Sequence, residues 1–340
     1  MMKESGLSDK ITVGRVVMMI LVVAIHCSVV GLRGYDGPAG LTAMFDFFDC
    51  YITSVAVPWF FFISAYLMAS LRREGGFDAY KSTVKRRVRS ILLPFVLWNT
   101  IAFLIRQGVN LSPLRSFTEG GREEFDSIWD FFLRVYFEPE LEPLWFLRNL
   151  FLFTLFYPVF QRAVRVNSVV ALVMFWLIEE YVFSSGLIYY GLGFVVAKWC
   201  DPEEMSGLLP RFGAMFPLVV GVMVAAYFWV DSEVCYQLLI VAGLFSLWGV
   251  ACLLLPYAGG LGRPDNIFFI YAAHGIISPY VLKVSVLMFD VSGLWWAVLY
   301  VVSIVVVIGV CYGGAVVVRT LMPGVFGALT GSRRRALSAL

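Results

Sequence analysis

Apolar residues dominate the chain in long runs that are separated by short polar segments. Each run approaches the length of about 18 residues that a helix needs to cross a hydrocarbon core. Strands of a membrane barrel would instead alternate apolar and polar positions over about ten residues. The pattern predicts an all-α polytopic membrane protein with about ten transmembrane helices. These lie at residues 12–31, 47–70, 90–106, 144–161, 168–183, 185–200, 212–230, 234–255, 266–283 and 293–318.

The composition agrees with this interpretation. Of the 340 residues, 60% are hydrophobic and 15% are charged, which is not typical of a soluble domain. The net charge of +2 is no argument for a nucleic-acid partner, because the basic residues cluster beside the apolar runs, and none is expected. The first run is too long for a signal-peptide core and lacks a clear cleavage site, so we expect it to be retained. We predict one integral-membrane domain, residues 1–340, that is multi-pass in the cytoplasmic membrane.

The distribution of lysine and arginine predicts the orientation. With a cytoplasmic N-terminus, the inner segments hold 19 of these residues and the outer segments hold seven. Cytoplasmic loops normally carry such an excess, so both termini are predicted to face the cytoplasm. The outer segment at about 107–143 is too polar to span and too aromatic for a plain linker. We expect it to lie at the interface or to fold back over a cavity.

The first span carries two ionisable residues, Arg15 and His26, eleven positions apart. Eleven residues turn an α-helix by about 1100°, roughly 20° beyond three full turns, so both side chains share one face. They are separated by about 16.5 Å along the axis. Arg15 alone could be a residue that extends to the interface, but an ionisable group within a span usually marks a functional path. We therefore expect His26, about two-thirds of the way across, to be functional.

Three further features are candidates for chemistry. The second of the two histidines, His274, also lies in a predicted span. Trp145 and Arg148 share a helix face near the outer end of the fourth span, where an aromatic belt is the alternative interpretation. Before the third span, a basic cluster contains Lys85, Arg86 and Arg89. It anchors the chain to the membrane, and it also suits a polyphosphate ligand. The six cysteines show no metal-ligand spacing, and we expect small buried side chains and no metal.

Together these segments resemble the membrane-bound acyltransferase 3 family, which includes O-acetyltransferases of bacterial surface polysaccharides. The likeness is carried by "RVVMMILVVAIH", "VPWFFFISAYLM", "KRRVRSILLPFVLW", "LWFLRNL" and "IFFIYAAHGI", in the family's order. It covers about residues 10–320. The chain departs from the family pattern at Thr12, Ala65 and Asn149, where the family often has Asp, Gly and Asp.

The resemblance implies acyl transfer, usually of acetyl from acetyl-CoA, to a hydroxyl of a glycan or lipid-linked sugar outside the membrane. His26 would act as the general base, because an imidazole can take the proton of a weakly nucleophilic hydroxyl. Arg15 would hold the phosphates of the donor, assisted by Lys85, Arg86 and Arg89. The acyl-CoA is then a co-substrate, and no permanently bound cofactor is expected.

Less direct roles follow for five other side chains. Tyr271 and His274 would orient the acceptor or stabilise the oxyanion, and Arg148, Trp145 and Ser64 are further candidates on the acceptor side. The sequence leaves open the acceptor, the choice between acetyl and succinyl, and the formation of a homo-oligomer.

Two other functions are consistent with parts of the pattern. A proton-coupled secondary transporter would use both histidines, but the chain shows no internal repeat of the usual kind. A non-catalytic relative that binds glycans or lipids would not need both histidines.

Overall fold

The computed structural model describes residues 6–70, 77–112, 125–181, 186–255 and 263–332, and these ranges contain helices and no strand. The α-helices are α1 Leu7–Ile25, α2 Ala39–Phe47, α3 Ala56–Ser70, α4 Phe77–Arg87, α5 Leu93–Asn110, α6 Ile128–Phe132, α7 Trp145–Leu155, α8 Tyr157–Val166, α9 Ser168–Tyr181, α10 Leu187–Trp199, α11 Pro202–Ala214, α12 Phe216–Trp229, α13 Glu233–Ala251, α14 Pro264–Met288, α15 Trp295–Leu321 and α16 Pro323–Thr330. The predicted all-helical fold class is confirmed for this part of the chain.

Within the part of the chain that the structure describes, five helices are long and apolar enough to cross a membrane. Two of them join consecutive helices through π-helical or 3₁₀ turns: Ala39–Ser70 runs from α2 through α3, and Tyr80–Asn110 runs from α4 through α5. The other three are Glu233–Leu255, Pro264–Met288 and Trp295–Leu321. Two bent pairs, α7 with α8 and α11 with α12, would raise the number to seven. These helices indicate a multi-pass membrane protein. The predicted number of ten and the orientation stay predictions, and the orientation also counts residues outside the described ranges: Lys3, Arg72, Arg73, Arg115, Arg122, Arg333, Arg334 and Arg335.

The two bends interrupt segments that the hydropathy pattern treats as straight. The break between α7 and α8 is 67° and lies within predicted span 144–161, and the break between α11 and α12 is 59°. Pro158 and Pro217 stand in the first turns of α8 and α12. Proline lacks the N–H that would continue the preceding helix, so the chain changes direction there.

Helix α1 lies in the middle of the fold, with α3, α13, α14 and α15 packed around it. Gly14 allows this packing, because a Cβ at this position would lie 2.6 Å from the Trp59 ring and 3.0 Å from the Trp248 ring. The Trp248 indole N–H also donates to the Lys10 carbonyl at 3.0 Å. The start of α1 is therefore held firmly by two buried tryptophans.

The described parts of the outer segment pack onto α5, while the two predicted arrangements, at the interface or over a cavity, stay predictions. Arg106 of α5 forms an ion pair with Glu140 at 2.6 Å, and the Leu141 N–H donates to the buried Asn99 side chain at 3.0 Å. Residues 113–124 of the segment lie outside the described ranges. These contacts fix the chain just before the short 3₁₀ turn Glu142–Leu144, which leads into α7.

Helix α16 is an element that the hydropathy pattern does not predict. It folds back beside α5, where the Trp98 indole N–H donates to the Leu329 carbonyl at 3.0 Å. Gly331 ends the helix with φ +64, and a Cβ there would lie 2.5 Å from the Cα of Ser90. Only glycine adopts this positive φ without strain and leaves room for the Ser90 backbone. The end of α16 can therefore lie against the π-helical turn Val88–Leu92.

Candidate active site

A basic cavity of about 1040 Å³ opens where α4 passes into the π-helical turn Val88–Leu92. Four cationic side chains line it: Lys85, Arg86, Arg87 and Arg89. The opposite wall belongs to α16 and includes glycines that leave the space open. The predicted cluster of Lys85, Arg86 and Arg89 therefore faces one cavity. A concentration of cations in a concave site suits a phosphorylated ligand.

A second, narrower cavity of about 340 Å³ adjoins the first. The two share Leu67, Arg87 and Ser90 as lining residues. Arg15 and Ser64, both predicted site residues, line the second cavity between apolar side chains of α3, α7 and α14. The arrangement is a wide basic chamber that continues into a narrow, mostly apolar passage containing Arg15.

Arg87 stands at the junction and was not predicted as a site residue. Its Nη2 donates to the Ser64 hydroxyl at 3.1 Å, and it interacts electrostatically with Arg15. In the sequence it is one member of the run "KRRVR", and the pattern does not distinguish it from anchoring residues. Its position depends on the contact between the end of α4 and α3, which a one-dimensional pattern does not contain.

Arg15 and Arg87 bring two positive charges together in this passage. Neither forms an ion pair within the part of the chain that the structure describes. Asp265 also lines the cavity, but its carboxylate interacts with Arg263 and Arg319. Two partly exposed guanidiniums that lack a carboxylate partner among the described residues favour an anion between them.

The two histidines lie together, although 248 positions separate them along the chain, the difference between 274 and 26. Their ring centroids are 5.1 Å apart with an angle of 52° between the planes. His274 is completely buried on α14, and neither ring nitrogen has a hydrogen-bond partner among the described residues. His26 is partly exposed and caps the C-terminal end of α1. His26 therefore stands at the end of α1 and not within a continuous helix over 12–31, because α1 ends at Ile25; its depth in the membrane stays a prediction.

Tyr271 connects the narrow cavity with the histidines. It lines the cavity, and its ring lies 5.9 Å from that of His274. Its hydroxyl donates to the Pro143 carbonyl at 2.5 Å, and its ring meets Phe146 edge-on at 6.0 Å. His26 is not among the residues that line either cavity. Tyr271 and Phe146 thus separate Arg15 from the histidine pair in this conformation.

An acidic residue accompanies the pair. Glu142 is exposed in the 3₁₀ turn before α7 and interacts electrostatically with His26. A carboxylate beside an imidazole stabilises the protonated ring, which is useful to a group that must accept a proton. Glu142 was missed in the sequence because it belongs to the acidic outer segment "EPELEP", in which no single acid stands out.

Trp145 and Arg148 do not line either cavity. Trp145 packs on Phe61, with ring centroids 6.1 Å apart. Arg148 donates to the Phe137 carbonyl, lies 5.4 Å above the Phe137 ring and donates to Asn149 at 3.0 Å. Arg148 therefore contacts the outer segment and Trp145 packs against α3, while Phe146, Leu147 and Leu150 on the same helix line the cavity.

In the described ranges, the cysteines and the possible metal ligands form no second candidate site. No cluster of three His, Cys, Asp or Glu residues suited to a metal occurs in the described ranges. All six cysteines are free thiols, and Cys27 and Cys311 are buried as expected. Cys50 is exposed, so the expectation of small buried side chains is wrong at this position.

A family model described as "Acyltransferase domain" matches residues 9–316. The chain belongs to this family, the acyltransferase 3 family, and is a membrane acyltransferase. It is also similar to the succinoglycan biosynthesis protein ExoH of Rhizobium meliloti (strain 1021). The two are 27% identical over 309 residues, which cover 83% of this chain and 80% of the relative. No solved structure matches the chain significantly.

Proposed function

We propose that this protein is an O-acyltransferase that takes an acyl group from an acyl-CoA on the cytoplasmic side and passes it to a hydroxyl outside the membrane. The acyl group is acetyl in the simplest case. The acceptor is a glycan or a lipid-linked sugar, in keeping with a relative that takes part in the biosynthesis of a polysaccharide. The observation that carries the proposal is the pair of adjoining cavities joined at Arg87.

The shape and charge of the cavities suit the two ends of an acyl-CoA. The wide chamber with four cations would hold the nucleotide and its phosphates. The narrow passage would hold the pantetheine arm, with Arg15 and Arg87 on its anionic end. Met19 and Tyr271, further along the passage, would then face the thioester. A donor seated in this way directs its acyl group towards the histidines.

The histidine pair would supply the acid–base chemistry. As the acceptor hydroxyl oxygen bonds to the thioester carbonyl carbon, His26 takes the hydroxyl proton. The carbon–sulfur bond then breaks, and the CoA thiolate leaves with the proton returned by the imidazolium. Glu142 would stabilise the imidazolium between these steps, and His274 would keep the His26 ring in place. The ring of Tyr271 must turn away from the passage before the thioester can reach His26.

Purified protein in lipid nanodiscs tests this proposal. Isothermal titration with acetyl-CoA and succinyl-CoA measures donor binding, and radiolabelled donor measures transfer to added glycosides. His26→Ala should keep donor binding and lower transfer by at least about 100-fold, the usual contribution of a general base. Failure of the wild-type protein to bind either acyl-CoA would contradict the proposal. Acceptor-linked proton flux into proteoliposomes of the same protein, without transfer, would indicate a transporter.

A further inference from the structure

Beyond the end of α1, on the side of His26 away from Arg15, lies a cluster of polar side chains, of which Tyr300 and Ser303 are buried and Ser28 and Asp49 are partly exposed. Ser28 follows His26 by two residues, and its hydroxyl interacts with the carboxylate of Asp49. The Asp49 carboxylate in turn interacts with Tyr300 of α15. Ser303 stands one helical turn beyond Tyr300, on the same face. Residues from three separate segments therefore meet next to the candidate base.

Three polar atoms in this cluster lack hydrogen-bond partners within the described residues. They are Asp49 Oδ1, the Tyr300 hydroxyl and the Ser303 hydroxyl. Tyr300 is 7% exposed and Ser303 is 1% exposed, so bulk water does not satisfy them. A serine inside a helix commonly donates to a carbonyl of the preceding turn, but Ser303 does not. Buried polar groups without partners are costly, and such a group calls for a ligand or bound water.

The surroundings of the cluster suit a sugar. Phe45 packs against the Tyr300 ring at a centroid distance of 5.0 Å, and Phe48 meets it edge-on at 6.4 Å. Asp49 lies in a π-helical turn, Phe48–Ile52, a form that often occurs at functional sites. His26, Ser28, Phe48 and Asp49 are all partly exposed, so a ligand can approach from this side. Carboxylate, phenol and hydroxyl groups beside aromatic rings are the partners that a polyhydroxylated ring requires.

We propose that Asp49, Tyr300 and Ser303 form the acceptor site, where they bind hydroxyl groups of a pyranose and present a neighbouring hydroxyl to His26. This inference rests on the proposed acyl transfer for its purpose, but binding of the sugar can be measured without it. Asp49 accepts hydrogen bonds from the sugar, while Tyr300 and Ser303 can donate or accept. The donor and the acceptor then approach His26 from opposite sides.

Saturation-transfer difference NMR on the nanodisc-embedded protein tests the acceptor site, because it detects weak binding of small sugars. The probes are methyl β-glucopyranoside and methyl β-galactopyranoside, which differ in the configuration of the hydroxyl group at C4. Tyr300→Phe and Ser303→Ala each remove one hydroxyl and little volume, and each should weaken binding of the preferred probe about tenfold. Asp49→Asn should weaken it at least as much. Tyr312→Phe, at an exposed position on the same helix, is the matched control and should leave binding unchanged.

The outcomes separate this inference from the proposed function. Sugar binding that depends on Tyr300 and Ser303, in a protein that binds no acyl-CoA, would support the acceptor site and contradict the acyl transfer. Binding of neither probe by the wild type would overturn the acceptor site, as would equal binding by wild type and all three variants. The unpaired atoms would then be explained by bound water. Since Tyr300→Phe is nearly isosteric, a thermal midpoint within about 2 °C of the wild type shows that folding is not the cause.

Discussion

The rings of His26 and His274 lie 5.1 Å apart, and the buried ring of the pair has no hydrogen bond at either nitrogen within the described ranges. His274 therefore lowers the stability of the fold, because a buried imidazole loses its hydrogen bonds to water and gains none to the protein in their place. Its ring contacts the rings of His26 and Tyr271. This combination is typical of a residue kept for activity at a cost in stability.

His274→Leu separates these two effects. The variant removes unpaired nitrogens and keeps an apolar side chain of similar size, so thermal stability should stay equal or rise. Acyl transfer should fall by about tenfold or more, because His26 loses the ring that holds it. Thermal unfolding and the transfer rate, measured on the same preparation, check both parts. A variant that is much less stable, or fully active, would contradict this role.

Arg87→Gln tests the junction between the cavities. The variant removes a charged donor and should raise the Kd for acetyl-CoA by about 10- to 100-fold, the range for a hydrogen bond to a charged group. Arg162→Gln is the matched control, because Arg162 is basic but lines a different groove between α8 and α9. Isothermal titration gives both values. Equal losses in the two variants would indicate a general effect of positive charge.

Gly249→Ala tests the packing of α11 against α13. A Cβ at Gly249 would lie 2.3 Å from the Leu209 carbonyl oxygen and 2.3 Å from the Gly213 nitrogen, both backbone atoms that cannot move aside locally. The expected cost is about 1–3 kcal/mol, seen as a lower thermal midpoint and a lower yield. Gly221→Ala has open space around it and should be neutral or slightly stabilising. Similar midpoints for the two variants would contradict the close helix contact.

Asp36 links the loop after α1 to the start of α15 and makes stability depend on pH. Its carboxylate accepts from the Trp296 indole at 2.7 Å and from the Gly293 N–H at 3.0 Å, and these bonds hold the pKa of Asp36 below its ordinary value. The stabilisation is therefore complete above the unfolded pKa, near 4, and is lost as the pH falls further. Thermal midpoints at pH 6 and pH 3 should diverge less in Asp36→Asn than in the wild type. Equal differences would contradict the coupling.

The sequence predicts the all-helical fold class because membrane-spanning segments must be long, apolar and internally hydrogen-bonded. The family resemblance is confirmed, and Arg15, Ser64 and Tyr271 meet at one cavity as parts of three different helices. Their roles, and those of His26, His274, Lys85, Arg86, Arg89, Trp145 and Arg148, stay predictions.

Other features depend on tertiary contacts that no hydropathy pattern contains. The return of α16 depends on one glycine beside Ser90, and the end of α1 at Ile25 places His26 outside the helix. Arg87 and Glu142 stand among similar charges in the sequence and become distinct only through their neighbours, Ser64 and His26. Tyr300 and Ser303 resemble ordinary residues of an apolar helix until their missing partners are noticed.

The hydrogen bond from the Tyr271 hydroxyl to the Pro143 carbonyl bears on the permeability of the membrane as well as on the proposed reaction. In the proposed reaction an acyl group crosses the thickness of the membrane, so a route open at both ends would let protons and ions follow it. The aromatic rings of Tyr271 and Phe146 pack edge-on beside the narrow cavity. On the proposed route, the side chains that delay the thioester would also limit the passage of protons and ions, so that an enzyme of this design would transfer a group across the membrane without becoming a channel.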